Sequence, residues 1–577
     1  EFISKYEAQE SPLSPMGTFV FYRTYSRFSN KLGRRETWIE ACKRAVEYNV
    51  GLAYDHMLKI GYTPDLVEFN TEAEALFDSM YNTKQFVSGR TLWIGGGENA
   101  VAEKYPLANY NCSFTAIETW ADLSDLFYLL LVGTGVGFKC TPEMANALPP
   151  IRAKVLHDPY IPAPAEKRLE TTKWIDLEQG YAKVYIGDSK EGWVEALRLF
   201  LEILTSHEYE HIKTVKFDYN SVRPRGERLK TFGGTASGPE PLMEMFEGFH
   251  KVLTNQIDST LDPLERAYAG YYRVRPIHIL DMGNLIGNNV VVGGVRRTAE
   301  IFLMGANDYE SLLAKYAING LWSEEQFKAH TILGKQLDAL GEKPVWWDSL
   351  RLEDGKNSRE NLDHRRMSNN SIVFTKQPDK EYLDMVFDMM KYEGEPGFFN
   401  EEEASRRRPN VVGTNPCGEI LLDSHGVCNL TTVNLSAFVE GGDLDLEGLV
   451  EAQRMSARAG LRMTLVDLEL PVWNQVQQRD RLLGTSLTGV KDAFSAVQYT
   501  KRQQNKVLGL LRKTANEEAD KYASHLRVNA PLLVTTVKPE GTLSLVAGGV
   551  SAGIHMSHSP YYLRRMRISS IDPLVQV

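Results

Sequence analysis

Apolar positions recur at helical spacing early in the chain, in Trp38-Ile39-Ala41-Ala45-Val46 and again in Ala73-Ala75-Leu76-Met80, which predicts a small helical domain over residues 1–90. From Thr91 onward the pattern changes to short apolar or β-branched runs separated by helical stretches. Runs at 214–217, 290–292, 371–374 and 532–537 read as strands. Strands alternating with helices predict an α/β architecture with a largely parallel sheet over residues 91–577. Residues 149–190 are richer in Pro, Tyr and charge and lack a clean period, so they read as an inserted subdomain. The chain shows no internal repeat and no low-complexity tract.

Length adds little to this picture: 577 residues allow roughly four domains, and α/β barrels run long as single units, so fewer are expected. Apolar content of 43% and charged content of 24% are ordinary for a globular chain. A net charge of −10 argues against a general nucleic-acid or membrane surface, so any phosphate is bound locally. The apolar run at 126–132, with its glycine-rich continuation to Phe138, is shorter than the roughly 18 residues a membrane span needs. Five cysteines, an odd number, suit a reducing compartment, with the cytoplasm as the default. The chain opens at Glu1 and stops at Val577 inside an apolar run, which suggests a fragment, a split gene product or an incompletely represented chain.

Several motifs compete for attention. His207-Glu208-Tyr209-Glu210-His211 matches HExxH, in which two histidines one helical turn apart bind zinc and the glutamate serves as base. A strand-like run begins directly after His211, so the motif straddles a helix end and reads better as a solvated polar turn. Gly133-Thr134-Gly135-Val136-Gly137 looks like a dinucleotide loop, yet it follows a helix and precedes extended structure, the reverse of the required order. His555 and His558 stand among Tyr561, Tyr562, Arg564, Arg565 and Arg567 and read as packing or charge partners, so no metal site is expected.

Residues 532–537, followed by Lys538-Pro539-Glu540-Gly541-Thr542-Leu543-Ser544, read as a strand leading into a helix start, where unpaired N–H groups favour phosphate. An ordinary capped helix explains that segment equally well. The glycine-rich run from Gly233 to Pro239 and Gly293-Gly294-Val295-Arg296-Arg297-Thr298 are similarly permissive loops.

The cysteines are more telling. A buried cysteine is usually a small hydrophobe, and that suffices for Cys42 and Cys140. It fits Cys417 poorly. In Asn415-Pro416-Cys417-Gly418-Glu419, side-chain alternation sends Asn415, Cys417 and Glu419 to one side while Pro416 and Gly418 shape the backbone. A thiol and a carboxylate can then face one small molecule. Cys428, in Gly426-Val427-Cys428-Asn429-Leu430, and Cys112, in Asn109-Tyr110-Asn111-Cys112-Ser113-Phe114, complete the set.

These segments resemble the catalytic subunit of the ribonucleotide reductases, most closely the monomeric adenosylcobalamin-dependent class with its phage-type members. The resemblance also runs through Tyr22-Arg23-Thr24-Tyr25-Ser26-Arg27, Ser88-Gly89-Arg90-Thr91-Leu92-Trp93, Gly135-Val136-Gly137-Phe138, Ser368-Asn369-Asn370-Ser371 and Thr536 to Thr542. It implies a ten-stranded α/β barrel with a central finger loop carrying Cys417 at its tip, preceded by the small helical domain and with the C-terminal end missing. It implies a thiyl radical at Cys417, Glu419 as general base, Asn415 orienting the substrate, and Cys112 and Cys428 as the reducing pair that ends as a transient disulfide. Substrate contacts are implied for Ser88, Ser113, Lys538, Pro539, Gly541, Thr542 and Ser544, and effector loops for Gly234, Ser237, Gly293, Arg296 and Arg297.

The implied cofactor is adenosylcobalamin, and the implied partners are a ribonucleoside tri- or diphosphate, a dNTP effector and a thioredoxin-like reductant. A separate C-terminal polypeptide is a further candidate partner, the chain otherwise being a monomer. Two departures stand out: Glu540 lies where relatives carry Ser or Thr, and the tail cysteine pair of the family is not in this sequence. Neither an N-terminal ATP-cone nor the cobalamin motif DxHxxG is found, and this class is not expected to use the latter. The alternatives are the same reaction driven by a separate metal-containing subunit, a zinc peptidase acting through 207–211, and a regulatory nucleotide binder without catalysis.

Overall fold

A computed structural model describes residues 2–565, apart from 153, 230–234, 293–298, 322, 352–358 and 360, and apart from the side chains of 291, 292 and 392. The chain divides into two compact units, Ser113–His425 and the pair of segments Glu1–Cys112 and Gly426–Val577.

The unit Ser113–His425 is built on strands Gly397–Asn400, Ser368–Phe374, Glu300–Gly305 and Gly135–Lys139, side by side in that order, with Cys112–Ala116 next. The first four are parallel, in register at Ser371 with Gly397, Glu300 with Ser368 and Val136 with Glu300. Val136, Phe138, Phe302 and Ile372 are all fully buried, as expected of a parallel sheet covered on both faces. Helix Trp120–Leu131 opens on a capping box between Thr119 and Asp122 and leads through Gly133, at φ +83°, into Gly135–Lys139, so the glycines form the expected helix-to-strand connection. A second sheet, Val155–His157, Thr214–Asp218, Tyr181–Tyr185 and Lys173–Leu177 in spatial order, lies in this unit between Lys139 and Glu300.

In the other unit, helices Trp38–Lys59 and Leu66–Tyr81 carry the early helical periodicity, the first with a capping box between Thr37 and Glu40. Their core side chains Trp38, Val46 and Phe77 share a hydrophobic cluster with Leu543 and Val546. Strands Gly426–Asn434 and Leu483–Thr488 run parallel, with Gln85–Phe86 antiparallel to the first.

Two expected strands are not strands. Residues 290–292 are the last turn of helix Pro276–Val292. A short β-branched run has no period of its own, and the helix before it is buried on more than one face, with Ile277, Leu280, Met282 and Ile286 all fully buried, so an apolar run there need not be a strand. Residues 532–537 form only an isolated parallel bridge, Thr535 with Thr485, and leave Leu532 and Val537 exposed. The helix expected after Lys538 is a single turn, Leu543–Val546, stopped by Gly548 and Gly549 at φ +95° and +80°. No helix among the described residues is long and apolar enough to cross a membrane.

Candidate active site

Cys417 stands at the end of a hairpin whose stem is the antiparallel pair Gly413–Thr414 and Leu421–Leu422. The turn is closed by the Gly418 N–H donating to the Asn415 carbonyl at 2.9 Å, with Gly418 at φ +80°, a conformation glycine adopts without strain. Asn415 is fully buried, and its amide organises the turn: Nδ2 donates to Glu419 Oε2 at 2.6 Å, and Oδ1 accepts from the Ile420 N–H at 3.0 Å. Glu419 is half-buried and Cys417 is exposed. The turn thus carries an exposed thiol and, two residues on, a carboxylate whose orientation is set by a buried amide.

The stem lies against the sheet. A Cβ at Gly137 would overlap the Thr414 carbonyl oxygen and stand 2.9 Å from the Phe114 ring and 3.0 Å from Ile301. A Cβ at Gly413 would likewise strike the Phe114 ring and come within 2.8 Å of Leu303. The return limb is fastened where Ser424 Oγ accepts from the Ala116 N–H at 3.0 Å and where the His425 ring meets Asp122 Oδ1 at 2.9 Å. Burial opposes charge on His425, but the hydrogen bond and charge of Asp122, with Asp125 and Glu118 adding to it, raise the imidazole above its ordinary value.

Cys112 and Cys428 are both buried, and all five cysteines are thiols. The Cys428 Sγ lies 3.2 Å from its neighbour's carbonyl, Asn429 O. Burial raises the phenol of Tyr110, and Cys428 contributes to the same shift, so this ring lies within electrostatic reach of one cysteine and two residues along the chain from the other. Desolvation draws the Arg90 guanidinium down to about 10, opposed by Cys112 and Tyr25.

Ser88 caps helix Gly89–Ile94, its hydroxyl accepting from the Thr91 N–H at 3.0 Å. Ser113 is buried and donates to the Gly135 carbonyl at 2.8 Å. The Lys538 N–H donates to Ser486 Oγ at 3.0 Å, Ser544 is buried, and Gly541 has open space where a Cβ would stand. Pro539 and Thr542 flank Glu540 and Gly541 in the same turn, and with only one helical turn behind it the helix-dipole argument for phosphate binding here is lost. Glu540 is buried at φ +55°, accepts from the Thr432 hydroxyl and lies 3.5 Å from Lys538 Nζ, so this position places a carboxylate on the lysine. Ser237 donates to the Gly238 carbonyl at 3.3 Å, while Gly234, Gly293, Arg296 and Arg297 lie outside the described residues.

The HExxH residues do not converge. Helix Lys190–Thr205 ends before His207, whose ring stacks on Tyr268 at 5.6 Å between centroids, and His211 Nε2 lies 2.5 Å from Asp176 Oδ2. Sequence reasoning passed over Lys139, Asp122 and His425, which hold the hairpin. Their spacing from Cys417 gives no local signal, although the strand alternation of Gly137 and Lys139 was available.

Comparison with known proteins places the chain in a family. Residues 1–97 match the ribonucleotide reductase alpha domain, residues 163–253 the insertion domain of B12-dependent ribonucleotide reductase, and residues 215–523 the ribonucleotide reductase barrel domain. The adenosylcobalamin-dependent ribonucleoside-triphosphate reductase of Levilactobacillus brevis is 28% identical over 646 aligned residues, spanning 100% of this chain and 77% of that protein. A Mycobacterium phage D29 protein named for the same reductase is 28% identical, spanning 98% of this chain and 77% of its own. A crystal structure of a B12-dependent (class II) ribonucleotide reductase superposes with a TM-score of 0.75 at 25% identity, covering 96% of this chain and 77% of that one. The alpha subunit of an Actinobacillus ureae class Id enzyme shares the fold, at a TM-score of 0.50 and 12% identity, over 96% of this chain and 77% of its own. With the barrel-domain match alone spanning more than half of its residues, the chain belongs to the ribonucleotide reductases.

Proposed function

We propose that this chain reduces ribonucleotides to 2′-deoxyribonucleotides for DNA precursor synthesis, by thiyl-radical chemistry that depends on adenosylcobalamin. The observation that carries the reading is the turn itself, an exposed Cys417 thiol set between Asn415 and Glu419, which are hydrogen-bonded to each other at 2.6 Å. The turn is open at its tip: Cys417 and Gly418 are exposed, and a Cβ on Gly418 would meet nothing within 4 Å. These two residues would face the cofactor, which supplies the homolytic radical chemistry that no side chain provides.

Cys417, as a thiyl radical, takes the ribose 3′-hydrogen atom. Glu419 accepts the 3′-hydroxyl proton, held in line by the Asn415 amide, and Asn415 orients the sugar. The 2′-oxygen departs as water. Cys112 and Cys428 give up two electrons and two protons and become a disulfide, and Cys417 returns its hydrogen atom to C3′. A thioredoxin-like dithiol restores the pair, a redox cycle compatible with the cytoplasm. The substrate is a ribonucleoside triphosphate, as in the named relatives, with Ser88, Ser113 and the turn around Lys538 and Gly541 as its phosphate and ribose contacts. A dNTP effector acts through the loop containing Ser237 and through residues 293–298, and the chain acts as a monomer.

The test is deoxynucleotide formation from CTP and from CDP, anaerobically, with adenosylcobalamin and a dithiol. Product that requires both the cobalamin and Cys417 upholds the reading. Product that survives Cys417→Ala, or that forms only with an added metal-containing subunit, overturns the radical assignment.

A further inference from the structure

Two contacts fix the outgoing limb of the Cys417 hairpin against strand Gly135–Lys139, and they differ in kind. Gly137 and Lys139, two residues apart, lie on the same face of the strand. Thr414 and Val412, also two apart, lie on the limb that crosses it. At the first crossing the Thr414 carbonyl presses on Gly137, with no room for a Cβ. Such a contact sets the height of the limb above the sheet but has no direction, so by itself it lets the limb slide. At the second crossing Lys139 Nζ donates to the Val412 carbonyl at 3.2 Å and pairs with Glu401 Oε2 at 2.7 Å. The lysine side chain is only 9% exposed and Glu401 21%, so this charge-assisted contact is shielded from water and directional.

We propose that Lys139 is a positioning residue for the reaction at Cys417, locking the register of the hairpin on the sheet through the Val412 carbonyl, with Glu401 holding the ammonium in place. The proposal rests on the assignment of Cys417 as the reacting thiol. A slip of one residue along a strand is about 3.3 Å, and misplacement by about 1 Å can cost roughly 100-fold in rate. The lysine's contacts are the Glu401 carboxylate and the Val412 carbonyl, so it acts through the backbone it holds.

The experiment compares Lys139→Met, Lys139→Arg and Glu401→Gln in the full chain, with two readouts. The first is turnover of CTP with adenosylcobalamin and a dithiol. The Met variant should lose about 10- to 100-fold in kcat with KM within about twofold, while Arg, which can still donate to the carbonyl, should recover most of it. The second is the rate at which iodoacetamide labels Cys417, read on its own peptide, which should differ at least about threefold between Met and wild type. Unchanged kcat in the Met variant, a loss confined to KM, or an Arg variant no better than Met overturns the proposal. Should the Met variant fail to fold, Glu401→Gln decides: a Cys417 labelling rate at least about twofold from wild type supports the lock, and an unchanged rate overturns it. Labelling needs no turnover, so the result for Lys139 stands even where wild-type product proves independent of Cys417, which would sink the assignment of the thiol instead.

Discussion

The Asn415 amide donates to the Glu419 carboxylate at 2.6 Å across the turn that carries Cys417, and the same amide accepts the Ile420 N–H on its other atom. One buried side chain thus orients the carboxylate and closes the loop.

Asn415→Asp should expose this coupling. It replaces the donor with a second carboxylate against Glu419, and two carboxyls at such a distance cannot both ionise freely. The amide donor that orients Glu419 is lost and two carboxyls are left to share one position, so kcat at neutral pH should fall at least about tenfold. Turnover equal to wild type would show that the two side chains do not act together.

Gly137→Ala tests the steric half of the hairpin seating. The added methyl must displace the Thr414 carbonyl, which is backbone and cannot rotate away. The expected cost is about 1–3 kcal/mol of stability, together with a rate loss larger than the stability loss explains. Thermal unfolding beside turnover separates the two, and an alanine variant with wild-type turnover would mean that the limb is not seated as described.

Much of this was legible in the chain. Nearness in the chain puts the thiol and the carboxylate in one turn, a local object, but not through the expected alternation of an extended loop: the chain turns through Gly418 at φ +80°, with Asn415 fully buried and Cys417 exposed. The helix-to-strand order around Gly133 and the helices Trp38–Lys59 and Leu66–Tyr81 were readable for the same reason. What failed was context. Residues 290–292 look like a strand in isolation and are the last turn of Pro276–Val292, a helix buried on more than one face, where short apolar runs carry no amphipathic period to tell helix from strand. Lys139 and Glu401 are 262 residues apart, and a pair that only tertiary structure brings together leaves no mark on local pattern. Glu540 reads as a lost hydroxyl and proves to be a buried carboxylate that accepts from Thr432, 108 residues away in the chain, a contact local pattern does not announce.

The HExxH segment gives a clean exclusion. His211 pairs with Asp176 and His207 stacks on Tyr268, beyond the end of the helix that would have aligned them. Glu208→Gln should therefore leave turnover within about twofold of wild type, as most exposed substitutions do, and a zinc-selective chelator should do the same. Loss of activity in either arm would return metal chemistry to this segment.

Glu300 makes the sharpest pH prediction. Its carboxyl is buried beneath helix Pro276–Val292, where Asn284 Nδ2 donates to Oε2 at 3.2 Å and Oε1 has no partner among the described residues. Burial raises its pKa well above the ordinary 4.5, the Asn284 hydrogen bond opposing this only in part. The folded protein therefore keeps a proton that the unfolded chain releases. Below the unfolded value both states are protonated and the acid costs nothing. As pH rises above about 4.5 the unfolded state gains by ionising, and stability falls by up to about 1.4 kcal/mol per pH unit until the folded carboxyl also titrates. Glu300→Gln removes the titration and keeps an acceptor for Asn284. Its melting temperature should lie near wild type in acid and rise progressively above it with increasing pH. Denaturation of the two proteins across that range checks the sign, and a difference that stays flat would mean that Glu300 is ionised in the folded state and held by a charge partner.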